Sequence, residues 1–381
     1  MKKKEFLALG VMTGTSMDGV DLSLIKSDGL GKFNAILNDY QSYDNEFQSN
    51  LINLRDKISC SKDLKKYSRE ISNLEREITI YHSRIINNFL LKSKSQVDLI
   101  GFHGQTIFHN SNEKISKQLG DGKLLSQIIK KIVVNNFRQK DLINGGQGAP
   151  LTPIFHKLVS NLINRKYEIS YPLNVINIGG ITNITHIPND KNSNLNLYSY
   201  DIGPGNCLID EWIRKNSKEK FDDNGKIAKS GKVNDLILNQ AIDNFDIASY
   251  EKSLDIKDFD LSFIKGLSFE DGCATITKFS AHLIAKGIES ISKINNLIPK
   301  INLISGGGRK NSFLIKSICD YLIDKNIRLE NIDKYGFDGD FIESQAFGYL
   351  SIRTYLNLPI SFPNTTRCKK ETIGGEINKN F

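Results

Sequence analysis

Gly10 to Asp21 reads "GVMTGTSMDGVD". The apolar run "EFLALGVM" leads into it and "VDLSLIKS" leads out, so two short strands flank a turn made of Gly14, Thr15, Ser16, Met17, Asp18 and Gly19, with Val20 and Asp21 opening the second strand. Two readings are open. One is a plain β-hairpin whose turn carries glycine and aspartate. The other is a cradle in which amides freed by glycine, beside the Thr15 and Ser16 hydroxyls, bind phosphate oxygens. A nearby aspartate would then hold the water shell of magnesium.

The same chemistry recurs along the chain. "INIGGITNIT" places Gly179 and Gly180 at a similar first turn of the second half, and "SGGGRKN" puts Gly306 and Gly307 between a buried strand and a helix. Glycine there lets backbone approach a nucleotide, with the helix N-terminus facing anionic groups. The chain has no G-x-x-x-x-G-K-[ST], which excludes a P-loop kinase, and no G-x-G-x-x-G after a strand, which counts against a dinucleotide oxidoreductase. In "YDIGPGNCLIDEW", Asp201 is read as ending a strand before a Gly-Pro-Gly turn, with a helix starting near Asn206. A carboxylate at a strand's carboxyl end faces the ligand crevice of an open α/β sheet and can take a proton from water. His103 and Gln105 of "GFHGQTIFHN" leave the core in the same way and can grip sugar hydroxyls. Arg138 and Asp141 of "NNFRQKDL" either bind a carboxylate or bind each other.

The 381 residues suit two domains. Each half reads as a hairpin-type strand set followed by strand, glycine turn and helix, and a long amphipathic helix is expected over Phe269 to Lys293. "NGGQGAPLTPIFH" is the expected interdomain crossing and the segment after the last helix reads as a polar tail. The net charge of +8 is spread along the chain without a basic stripe, which argues against a nucleic-acid partner while favouring anionic substrates. No apolar run approaches a membrane span, so no membrane partner is expected. Glu5 interrupts what would otherwise mimic a signal peptide, and five scattered cysteines without a C-x-x-C pair indicate a reducing cytoplasm and no structural zinc.

Taken in order, "GVMTGTSMDGVDLSLI", "GFHGQT", "QLGDG", the "NFRQKDL" to "GGQGAPL" block, "NIGGITNIT", "YDIGPGN", "SGGG" and "IESQAFGYL" resemble the anhydro-N-acetylmuramic acid kinase family over nearly the whole chain. The resemblance implies an α/β protein of two related RNase H-like domains, the fold of actin, hexokinase and the heat-shock ATPases, with an active-site cleft between them. The first domain would hold residues 1–137 and about 345–381, the second residues 138–344. It also implies ATP and Mg2+, and a reaction in which 1,6-anhydro-N-acetylmuramic acid, left when bacterial wall is cut, is opened by water and phosphorylated on its 6-oxygen. Asp201 would activate the water, Gly14 to Asp21 with Gly306 and Gly307 would bind ATP, and His103, Gln105, Arg138 and Glu343 would bind the sugar. Closure hinged near Gly145 to Gly148 and again before the final helix, and a homodimer, are further implications. Arg367 stands where the family commonly has a glycine in its C-terminal turn. A kinase of the same fold acting on another sugar or a carboxylic acid is the alternative reading, and a nucleotide-gated interaction protein a third.

Overall fold

A computed structural model describes residues 4–188, 196–245, 250, 253–254, 256–294, 299 and 301–381. The chain divides into two compact units, Met1–Val159 with Phe341–Phe381, and Ser160–Asp340.

The strands of the first unit are β1 (Phe6–Met12), β2 (Gly19–Ser27), β3 (Phe33–Ser42), β4 (Leu99–Phe102), β5 (Gln105–Asn110), β6 (Ile115–Leu119) and β7 (Ile132–Asn135). Those of the second are β8 (Leu173–Ile178), β9 (Ile181–Ile187), β10 (Tyr198–Pro204), β11 (Ile301–Ser305) and β12 (Arg328–Asn331). The chain's last strand, β13 (Glu376–Asn378), returns to the first unit. The first sheet runs β13-β7-β4-β1-β2-β3 and the second β10-β9-β8-β11-β12. In each, the opening strand pairs antiparallel with the next, that one pairs antiparallel with the third, and two parallel strands continue on the other side. One five-strand design therefore occurs twice, as two related RNase H-like units require, with β13 added antiparallel at one edge.

Local sequence explains the layers. Every residue of β4 and of β8 is buried, the pattern of a strand covered on both faces. The helix Ser68–Ser93 buries Ile71, Leu74, Ile78, His82, Ile86 and Phe89 at spacings of three and four, so one stripe meets the core. The helix Ile342–Tyr355 is buried from Ser344 to Thr354 and shows no amphipathic stripe, because it is enclosed on all sides. The long helix of the second unit spans Phe269–Ile294. Among the described residues no helix is long and apolar enough to cross a membrane.

Three expectations change. The chain passes between units inside the helix Pro153–Tyr167, not at residue 137. The "NGGQG" loop belongs to the first unit: Gly146 N and Gly148 N donate to Asp141, and Gln147 N donates to the carbonyl of Thr366. The polar tail is part of the first unit's structure, since Ser361 and Thr366 hydroxyls donate to the buried Asp141 carboxylate and β13 completes the sheet. Arg367 takes φ +65° at the C-cap of the helix Pro363–Thr366, the conformation glycine would supply. The turn is kept at a cost of roughly 1 kcal/mol.

Candidate active site

In the first unit the turn between β1 and β2 is fastened from below. The Thr13 hydroxyl donates to the Gly104 carbonyl at 2.8 Å, and Gln105 Nε2 donates to the Gly14 carbonyl at 3.0 Å. Met17 adopts φ +56° and is fully buried, which pins the turn's centre to the core and leaves Thr15 and Ser16 exposed. A Cβ on Gly14 would meet only the Ser16 hydroxyl, at 3.5 Å. Nothing inside the fold therefore requires glycine there, and the space above it is open for a ligand. Burial and then the Asp18 and Asp21 carboxylates push the Tyr40 phenol up to about 12, so both carboxylates bear on one locality. Asp18 also accepts from the Ser16 hydroxyl at 2.6 Å. No cluster of three or more His, Cys, Asp or Glu side chains suited to a metal occurs among the described residues. The Asp18 and Asp21 carboxylates beside this open turn still fit magnesium, which keeps most of its water and takes its other ligands from phosphate.

His103 follows β4 and is buried. Arg138 donates from Nε at 3.1 Å and from Nη2 at 2.9 Å to His103 Nε2. Because arginine only donates, Nε2 is the acceptor and the ring proton sits on Nδ1, which donates to the Gly104 carbonyl at 2.7 Å. Burial, with the Arg138 charge, holds His103 well below the ordinary histidine range, so it is neutral. Arg138 also donates from Nη1 to the Gly148 carbonyl at 2.9 Å. Burial works against the Arg138 charge, and the Glu343 and Asp141 carboxylates offset part of that cost. Of the two readings of Arg138 and Asp141, no direct pair forms: Asp141 instead receives Gly148 N, Ser361 and Thr366. Beside His103, at the carboxyl ends of the parallel strands β4 and β7, lies a cavity of about 330 Å3. Lys117, Gln118, Asn135, Asn136 and Gln139 line it, and no apolar side chain does among the described residues. The open crevice of a parallel sheet is the expected place for a ligand.

The second unit gathers three glycine turns. Gly205 N and Asn206 N donate to the carbonyls of Gly180 and Gly179, both at 2.8 Å. A Cβ on Gly308 would lie 2.2 Å from Ile178 Cγ2, and one on Gly306, where φ is +81°, would lie 2.4 Å from Asn177 Oδ1. Gly307, by contrast, is open, with Asn206 Nδ2 at 3.8 Å the nearest atom to such a Cβ. The helix after this turn does not start directly upon it: a 3-10 turn, Gly307–Lys310, intervenes, and the Asn311 side chain caps the helix Ser312–Leu322 by accepting from Leu314 N. Sequence reasoning missed Arg309, whose buried guanidinium donates to the Gly306 carbonyl at 3.1 Å and pairs with Asp333 at 3.0 Å and Asp340 at 2.6 Å. The acidic run from Asp333 to Asp340 was the available signal.

Asp201 does not end its strand. β10 continues to Pro204, and the register slips between Asp201 and Gly203, so Ile202 is the extra residue of a bulge that turns the strand after Asp201. Ser305, Asn177, Asn183 and Asp201 stand opposite one another across β11, β8, β9 and β10, which puts the four side chains in one row on one face. The Asp201 carboxylate accepts from Leu254 N at 2.9 Å. The structure thus links Gln105 to the Gly14 turn, His103 to Arg138, and Arg138 to the charge of Glu343 in the first unit, while in the second Asp201, Gly306 and Gly307 share one unit and Asn177 of the Asp201 row lies against Gly306.

Residues 6–380 match the family model described as anhydro-N-acetylmuramic acid kinase. An anhydro-N-acetylmuramic acid kinase of Pelagibacter ubique is 54% identical over 382 residues, covering 100% of both chains. One of Brucella suis is 34% identical over 372 residues, covering 97% of both. A ROK-family glucokinase of Streptomyces griseus, solved with glucose and AMPPNP, covers 90% of this chain and 98% of its own at 10% identity and a TM-score of 0.40. On the full-length family match and the identity of its relatives, the chain belongs to the anhydro-N-acetylmuramic acid kinase family.

Proposed function

We propose that the protein converts 1,6-anhydro-N-acetylmuramic acid, ATP and water to N-acetylmuramic acid 6-phosphate and ADP, with Asp201 as general base. The observation that carries this reading is the place of Asp201: a carboxylate in a polar cross-strand row, oriented by the Leu254 amide, with the row's Asn177 packed against the Gly306 turn. A carboxylate so held can take a proton from water as the water oxygen bonds to the anomeric carbon. The bond from that carbon to the bridging 6-oxygen breaks, its electron pair stays on the oxygen, and this oxygen attacks the γ-phosphorus as ADP leaves. Thr15, Ser16 and the amides of the Gly14 to Asp21 turn would bind phosphate oxygens, with Asp18 and Asp21 holding the water shell of magnesium. The ion supplies charge neutralisation across the transferring group. The amides of Gln118, Asn135, Asn136 and Gln139, which share the cavity beside His103 with glutamate, aspartate and lysine side chains, suit a ring bearing hydroxyl and acetamido groups.

Incubation with 1,6-anhydro-N-acetylmuramic acid, ATP and magnesium in oxygen-18 water tests the reaction. The product should be a phosphorylated sugar with the label at its anomeric hydroxyl, read by mass spectrometry. Phosphorylation without label would separate phosphoryl transfer from ring opening by water, and an unmodified sugar would move the search to other acceptors.

The phosphate turn has its own test. Gly14→Val sets its Cβ against only the Ser16 hydroxyl, at 3.5 Å, and weakens AMPPNP binding at least about tenfold by crowding the phosphates. Equal affinity in the two proteins would remove Gly14 from the cradle.

A further inference from the structure

We infer that Arg138 is a positioning residue for the phosphate turn and does not grip a substrate carboxylate; this rests on the reading of Gly14 to Asp21 as that turn. An arginine holds a carboxylate best by presenting two donors along one edge. The Nε and Nη2 donors of Arg138 form such an edge, and both are directed at His103 Nε2, at 3.1 and 2.9 Å. Nη1 is bonded to the Gly148 carbonyl. An incoming carboxylate would also meet the charges of Glu343 and Asp141, which already act on this guanidinium.

The bonds Arg138 does make lead elsewhere. By occupying Nε2 it fixes the His103 proton on Nδ1, which donates to the Gly104 carbonyl. That carbonyl also accepts the Thr13 hydroxyl at 2.8 Å, and the adjacent Gln105 donates to the Gly14 carbonyl. His103 N donates to the Val11 carbonyl at 3.1 Å, tying the same loop to β1. A continuous line of hydrogen bonds therefore runs from Gly148 through Arg138, His103 and Gly104 to Thr13, the residue before Gly14. Every member lies in the first unit. The ring of His103 rests against Phe347, with centroids 4.6 Å apart, so the imidazole is held by packing as well as by its nitrogens.

The test measures AMPPNP affinity without sugar, in the intact protein with magnesium. Arg138→Ala and His103→Ala each weaken binding about tenfold, the scale of one charge-assisted hydrogen bond. The double variant is little worse than either single one, since both break the same line. Arg138→Lys keeps the charge but not the two-pronged contact, and should lose nearly as much as Arg138→Ala. A carboxylate clamp predicts the opposite: unchanged AMPPNP affinity in all variants, a raised KM confined to the sugar, and partial retention by lysine. That pattern overturns the inference. Should Arg138→Ala fail to fold, Arg138→Lys and His103→Ala decide it alone. Wild-type protein that binds no AMPPNP would instead overturn the reading of the phosphate turn, so the two failures are distinct.

Discussion

Asp201→Asn lowers kcat by about a thousandfold or more while the Kd for AMPPNP stays within about twofold of wild type. The substitution keeps size and shape. The retained carbonyl oxygen can still accept from Leu254 N, so the strand and its bulge persist and thermal unfolding should barely move. What is lost is the capacity to take a proton, because an amide oxygen is too weak a base to draw one from water at neutral pH. Nucleotide affinity is spared because the proposed phosphate turn belongs to β1 and β2, and the open Gly307 follows β11, not β10. Turnover near the wild-type rate would remove Asp201 from the mechanism. A parallel loss of AMPPNP affinity would show that its work lies in holding the second unit's turns together.

The glycine turns were legible because glycine, aspartate and hydroxyl residues report local backbone chemistry, and a turn is a local event. The double strand pattern was legible for the same reason, since "FLALGVM" and "LNVINI" are short apolar runs bounded by glycine. What lay hidden depends on pairing across long separations. That Arg138 meets His103 and not Asp141, though Asp141 is close in sequence, follows from β4 and β7 lying side by side. The cross-strand row of Asp201 needs a register that no single strand encodes. The three residues of β13 sit in a polar segment without alternation and are recognisable as a strand only beside β7. The passage between units inside Pro153–Tyr167 leaves no compositional mark, because a helix that belongs to two units reads as one helix. Arg367 shows the converse: a residue unsuited to the left-handed region occupies it because the surrounding turn is fixed by its neighbours.

Gly10→Ala destabilises the protein by at least about 3 kcal/mol in urea unfolding. The reason is how the chain's distant segment Phe341–Phe381 is joined to its beginning. β1 and β4 approach the helix Ile342–Tyr355 so closely that a Cβ on Gly10 would lie 1.8 Å from the Ser344 carbonyl oxygen and 2.6 Å from Gly348 N. A Cβ on Gly101 would lie 2.2 Å from the Phe347 carbonyl oxygen. These are backbone atoms inside a helix enclosed on every side, so no side chain can rotate away and the helix itself must shift. Gly348→Ala is the control, because its added carbon meets the Ile25 side chain at 3.1 Å and Gly10 N at 3.2 Å, contacts that relax by tenths of an ångström. It should cost about 1 kcal/mol. The order of the two losses is the sharper test, since both substitutions add one carbon and Gly348→Ala also gains helix propensity that Gly10→Ala does not: equal losses, or a Gly10→Ala protein within about 1 kcal/mol of wild type, would mean that the helix does not press on β1. The consequence reaches the proposed function, because β1 ends at the proposed phosphate turn and β4 ends at His103. A helix displaced from both strands moves the turn and the His103 loop together, so a Gly10→Ala protein that still folds should also bind AMPPNP more weakly than the Gly348→Ala control.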